Sequence, residues 1–201
     1  MSEGAARRPA PTLRGERVVL RPVVDADVPV LRGILDEPGV ARWWGPRREG
    51  VDVALDWLDA DEDTVVFAID LDGRVVGSIQ FAEEAEPDYR HAGIDLFLTR
   101  EVQGQGLGPD AIRTVARYLF EEHDHHRLTI DPSAVNERAI KAYASVGFRP
   151  VGVMRRYERG PDGSFHDGLL MDLLRDDLDG SGMRPPPGSG RVTREGLSRG
   201  R

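Results

Sequence analysis

Cysteine is absent from the 201-residue chain, which excludes disulfides, thiolate metal ligands, iron–sulfur clusters and a cysteine nucleophile. Long apolar runs are missing as well. No stretch approaches the roughly 20 apolar residues of a membrane span, and Met1 to Arg14 lacks the apolar run of a signal peptide. A cytoplasmic protein with no membrane partner is therefore expected. Positive charge is in short supply: 27 Lys and Arg stand against 35 Asp and Glu, a formal net charge of -8. The deficit is uneven. Residues 1–17 carry four Arg against Glu3 and Glu16, and residues 179–201 carry five Arg against Asp179 and Glu195, which leaves -13 on the segment between. Such a body repels nucleic acid and attracts cations, although an acidic surface also serves solubility alone.

What is present is enough for one domain. Hydrophobic residues make up 39% of the chain, with three Trp and six Phe, sufficient apolar material to offset chain entropy. The ends differ: residues 1–12 read as a flexible N-terminus, residues 179–201 as a disordered tail of Pro, Gly, Ser and Arg, and 13–178 as the folded domain. Within it, Val18 to Leu20 reads as a strand, and Asp25 or Asp27 can cap a helix that runs to Leu35. A second helical region falls around Asp52 to Leu58. Val65 to Ile69 and Val75 to Phe81 flank an Asp-Gly step, the mark of an antiparallel hairpin. Ala92 to Leu98 is a further strand, and Pro109 to Glu122 buries Ile112, Val115, Ala116 and Leu119 at helical spacing. Arg127 to Ile130 is a strand, Asn136 can cap a helix through Val146, and Val151 to Met154 and Leu169 to Leu174 are two strands joined by a polar loop.

Between a strand and a helix lies Gln103-Gly104-Gln105-Gly106-Leu107-Gly108. Its glycines let successive N–H groups turn towards an anion at a helix N-terminus, so a phosphate is the natural guest, with a flexible connector as the plainer reading. It is neither a Walker loop nor a dinucleotide fingerprint. On the strand before it, Ile94, Leu96 and Leu98 share one face, and Asp95 and Phe97 the other. Asp95 among apolar neighbours calls either for a salt bridge to an arginine or for a cationic ligand. Asp131 before Pro132 either shapes a turn or serves a site. Adjacent Trp43 and Trp44 cannot both face one core. His123-Asp124-His125-His126 looks like a metal cluster, yet residues one and two apart do not converge on a helix face, so no metal is expected.

The Q-x-x-G-x-G loop opening a helix, followed by Asn136, Ala139, Tyr143 and Gly147-Phe148, resembles the GNAT (GCN5-related N-acetyltransferase) superfamily over roughly Val18 to Leu174. That resemblance implies the α/β (α+β) GNAT fold: a mixed, mostly antiparallel central sheet of about six to seven strands with helices on both faces. It implies acetyl-CoA as cosubstrate, held by Gln103, Gly104, Gln105, Gly106, Leu107 and Gly108, by Asn136 and Ala139, and by backbone groups of Leu96, Phe97 and Leu98. Trp43-Trp44-Gly45, Gly93-Ile94-Asp95 and Asp131-Pro132-Ser133 before Asn136 resemble, within it, the aminoglycoside 6'-N-acetyltransferases. This closer resemblance implies Asp95 at the acceptor amine, Tyr143 as proton donor to the departing thiolate, and Asp131, Trp43 and Trp44 lining the pocket of a polycationic substrate. Transfer would be direct, and the function antibiotic resistance in a monomer or homodimer. The alternatives are a GNAT enzyme of another amine, such as a protein N-terminus, a lysine-like amine or a small metabolite, and a non-catalytic acetyl-CoA-binding protein.

Overall fold

The computed structural model describes residues 10–44, 64–160 and 162–180. The strands are β1 (Leu13–Arg14), β2 (Val19–Pro22), β3 (Thr64–Leu71), β4 (Arg74–Glu84), β5 (His91–Leu98), β6 (Arg127–Ile130), β7 (Arg149–Arg159) and β8 (Phe165–Leu174). The helices are α1 (Val28–Leu35), α2 (Pro38–Ala41), α3 (Leu107–Glu121) and α4 (Glu137–Ala144). The eight strands among the described residues join in one sheet, ordered β1-β2-β3-β4-β5-β6-β8-β7. Its pairings are antiparallel except β5 with β6, so the sheet is mixed as expected. It has one strand more than the sequence pattern suggests, because β1 has only two residues, paired Leu13↔Leu20 and Arg14↔Val19, too short to carry an alternation. The helical region expected near Asp52 lies outside the described residues.

Two apolar layers sandwich the sheet. On one face α3 buries Leu107, Ala111, Ile112, Val115, Ala116 and Leu119 against Phe81, Ile94 and Leu128. On the other, Leu31, Ile34 and Leu35 of α1 meet Val40 and Phe97. The alternation read in β5 is therefore real: Ile94 and Leu98 belong to the α3 side and Phe97 to the α1 side.

Two departures from regularity position the site. The parallel ladder between β5 and β6 covers only Ala92↔Leu128 and Gly93↔Thr129. Beyond it the strands part, leaving the β6-facing edge of Ile94–Leu98 out of the ladder. Second, the polar loop expected over 155–168 is mostly strand, since β7 runs to Arg159 and β8 starts at Phe165. The sequence pattern hides this because β7 is largely exposed and its register with β8 shifts between Pro150 and Gly152 and again between Met154 and Glu158. The helix after Asn136 also stops at Ala144, two residues short of the expected Val146.

Candidate active site

Beyond the last β5–β6 rung the sheet exposes the side chains that the sequence singled out. Asp95 points to the face opposite the α3 core and pairs across the ladder with Gln80 of β4, whose side chain hydrogen-bonds its carboxylate. Asp131 follows directly on β6. Its turn is fastened to β8 by Leu169 N–H to the Pro132 carbonyl (2.9 Å) and Ala134 N–H to the Asp167 carbonyl (2.8 Å). Asn136 caps α4, its Oδ1 accepting from Ala139 N–H at 3.2 Å, and two turns on Tyr143 lies tilted against Phe148 with centroids 6.4 Å apart.

These groups feel one another. Asp95 keeps an accessible surface, yet the surrounding protein desolvates it: burial, then Asp131, and to a smaller extent Glu158, push its carboxyl up to about 6 against the opposing bond from Gln80. An accessible yet desolvated carboxylate lies in a recess. Tyr143 is held well above its ordinary value by burial and then by Asp95 and Asp131, with Arg138 opposing, so it stays a phenol with a proton to give. Tyr157 donates to Asp131, and that bond together with desolvation pushes its phenol up to about 12. Glu158 is raised by desolvation and by Asp131. The structure thus brings Asp95, Asp131 and Tyr143 together and adds Gln80, Tyr157 and Glu158.

The additions carry different amounts of sequence signal. Gln80 is a polar residue in the off-core phase of a strand, which the alternation could have flagged. Tyr157 and Glu158 had none: they follow Arg156, which takes a left-handed φ of 50° and sends its N–H to Asp167 Oδ1 at 2.8 Å. That irregularity, inside the β7 register shift, turns Tyr157 towards Asp131.

The glycine loop follows the C-terminal end of β5. Gly104 and Gly106 have φ of 79° and 85°, and Gly106 is the N-cap of α3. A Cβ at either would meet nothing within 4 Å, so the backbone conformation and not crowding requires glycine there, and the loop's outer side is open. Gln103 ties the loop to β5 through Nε2 to the Leu98 carbonyl (2.7 Å), and Gln105 Nε2 reaches the Glu101 carbonyl (3.0 Å). Leu107 is buried in the core, with Leu96 packed beside it. This loop could take a phosphate at the start of a 15-residue helix.

The tryptophans divide. Trp44 packs edge-on against Phe97, centroids 5.5 Å apart, and Arg42 lies 4.4 Å over the Trp43 ring. The segment is anchored to the turn just after β5 by Glu37, which accepts from Thr99 Oγ1 (2.6 Å) and Arg100 N–H (2.7 Å). The histidines correct the sequence argument: α3 ends at Glu121, so His123 and His125 lie in the following turn, where both meet Glu83. Ser164, His166 and Asp162 cluster at the β7–β8 tip, but Ser164 and Asp162 both contact His166 Nε2, an arrangement that cannot relay a proton.

A family model described as an acetyltransferase (GNAT) domain matches residues 17–149. The aminoglycoside N(6')-acetyltransferase type 1 of Klebsiella pneumoniae is 29% identical, over 76% of this chain and 82% of its own. The spermidine N(1)-acetyltransferase of Escherichia coli K12 is 25% identical, over 79% and 86%. Among solved structures, AAC(6')-Ib in complex with ribostamycin and coenzyme A superposes with a TM-score of 0.66 at 27% identity, covering 81% of this chain and 96% of that one.

Proposed function

We propose an aminoglycoside as the amine substrate of this chain, which belongs to the GNAT acetyltransferase family. It is an acetyl-CoA-dependent N-acetyltransferase of that type. The observation that carries the substrate is the concentration of Asp95, Asp131 and Glu158 around one recess. The negative charge of Asp131 raises the proton affinity of both Asp95 and Glu158, and a ligand bearing several ammonium groups would relieve that repulsion. The likeness to the Klebsiella enzyme and to the ribostamycin complex supports that choice. The spermidine enzyme supports a second reading, a linear polyamine, which would satisfy the same carboxylates.

In the proposed reaction the cosubstrate's phosphates lie on the N–H groups of the Gly104–Gly108 loop, with backbone of Leu96, Phe97 and Leu98 and the Asn136–Ala139 turn along its arm. The acceptor enters as an ammonium that Asp95 orients. Raised to about 6, Asp95 is a better proton acceptor than a free carboxylate, though still far below an amine near roughly 10. It therefore passes the proton on to water instead of keeping it. The freed amine attacks the thioester carbon, the C–S bond breaks, Tyr143 gives its proton to the leaving thiolate, and the proton that the acylated nitrogen then sheds returns through water to the Tyr143 phenolate. Asp131, Trp43 and Trp44 hold the rest of the substrate.

Acetyl-CoA consumption with ribostamycin, spermidine and a peptide with a free N-terminus tests the reading, with mass and NMR location of the acetyl group. Ribostamycin is expected to give the largest kcat/KM, with acetyl on its 6'-amine. A larger value for spermidine or the peptide would replace the proposal. Expression in a susceptible bacterium is then expected to raise the inhibitory concentration of the drug.

A further inference from the structure

On the α3 side of the sheet, the geometry points to a divalent transition-metal site formed by Glu83, His123 and His125, separate from acetyl transfer. Glu83 shares the strand phase of Ile79 and Phe81, which face the α3 core, whereas Gln80 faces Asp95. Its Oε1 lies 2.6 Å from His125 Nε2 and 3.1 Å from His123 Nδ1, and the donor atoms of the three residues all fall within 4.8 Å of one another. Ligands at roughly 2.0–2.1 Å around a tetrahedral Zn²⁺ stand about 3.3 Å apart. An ion entering here would need the oxygen–nitrogen contacts to open by well under an ångström.

The backbone is shaped to make this convergence. Residues two apart would diverge on a helix, but Asp124 between them takes a left-handed φ of 52°, and the two rings stack within 12° of parallel. The turn is held by His125 N–H to the Leu119 carbonyl (3.1 Å) and by Arg90, whose guanidinium donates to the carbonyls of His123 and Asp124. Tyr118 and Phe81 wall the His123 ring at 4.7 and 5.7 Å. His125 is 1% exposed, and its Nδ1 is buried without a partner in the described structure. A metal bound through Nε2 would place the ring proton on this Nδ1. Glu83 and His123 keep about a quarter of their side-chain surface, 27% and 25%, enough for a cation to enter and for water to complete its shell. Two imidazoles and one carboxylate suit Zn²⁺, Co²⁺ or Ni²⁺ better than Mg²⁺ or Ca²⁺. An ion there would clamp the turn after α3 to β4.

The test uses the full chain without a histidine tag, stripped with chelator and titrated calorimetrically with Zn²⁺. One equivalent is expected to bind, and His123→Ala or Glu83→Gln to weaken binding about 100-fold or more. His123 is partly exposed, so its variant should still fold. Its thermal melt reads the site a second way: Zn²⁺ at about a hundredfold excess over Kd is expected to raise the wild-type Tm by about 5 to 10 °C and to leave His123→Ala unmoved. Co²⁺ should give visible d–d absorption that the variant loses. No Zn²⁺ binding by the wild type, unchanged binding in His123→Ala, or loss in His166→Ala instead would overturn the site.

Discussion

Asp110 and Asp95 are both carboxylates at the edge of the same core, and their surroundings differ in kind. Asp110, in the first turn of α3, accepts from the backbone N–H of Glu16 (2.9 Å), Arg17 (2.8 Å) and Val18 (3.1 Å). It fastens the β1–β2 turn to the helix and has little left to offer a ligand. Asp95 has one amide, Gln80, and otherwise feels the negative charge of Asp131 and Glu158. The first carboxylate is satisfied by the fold, while the second is left beside uncompensated negative charge, which the proposed ammonium would offset. Counting donors and signs around each acid thus separates the two more sharply than burial does.

The contrast can be broken by substitution. Asp95→Asn is expected to lower kcat/KM for the amine by about 10²- to 10⁴-fold, leaving acetyl-CoA affinity and Tm near wild type, as steady-state kinetics, calorimetry and a melt would show. Tyr143→Phe should cost about 10²-fold in kcat with little change in KM, because a proton donor acts in the transition state. Asp110→Asn should do the reverse, lowering Tm by about 4 to 10 °C through its lost charge-assisted bonds and leaving kcat of the folded fraction close to wild type. A melt of Asp110→Asn as stable as the wild type would erase the distinction. Glu158→Gln is expected to be mildest, raising the amine KM about two- to fivefold, since a partly solvated ion pair contributes little.

How much of this could be read from sequence depended on local regularity. Asp95 is visible because it is a carboxylate on the strand face that it shares with apolar Phe97, opposite Ile94, Leu96 and Leu98. The capping role of Asn136 and the buried stripe of α3 were visible for the same reason, being products of helical geometry. Tyr157 was hidden by a register shift that breaks the period of β7. The meeting of His123 and His125 is hidden because both lie past the helix end, where helical spacing no longer governs which side chains converge. Strand β1 is hidden because two residues cannot display a pattern. Regular elements announce their exceptions in sequence, whereas bulges and turns conceal what they bring together.

The pH dependence of kcat/KM tests the role of Asp95 most directly. Its carboxyl, raised to about 6 by desolvation and neighbouring negative charge, must be ionised to hold an ammonium, so activity is lost as pH falls through that value. The wild type is expected to show an acidic limb near pH 6 in kcat/KM. In kcat the limb should move lower, because a bound ammonium favours the ionised acid. Asp95→Asn is expected to lie far below and to lack the limb. An Asp95→Asn profile with the wild-type limb and height would contradict the assignment of the acceptor amine to this carboxylate.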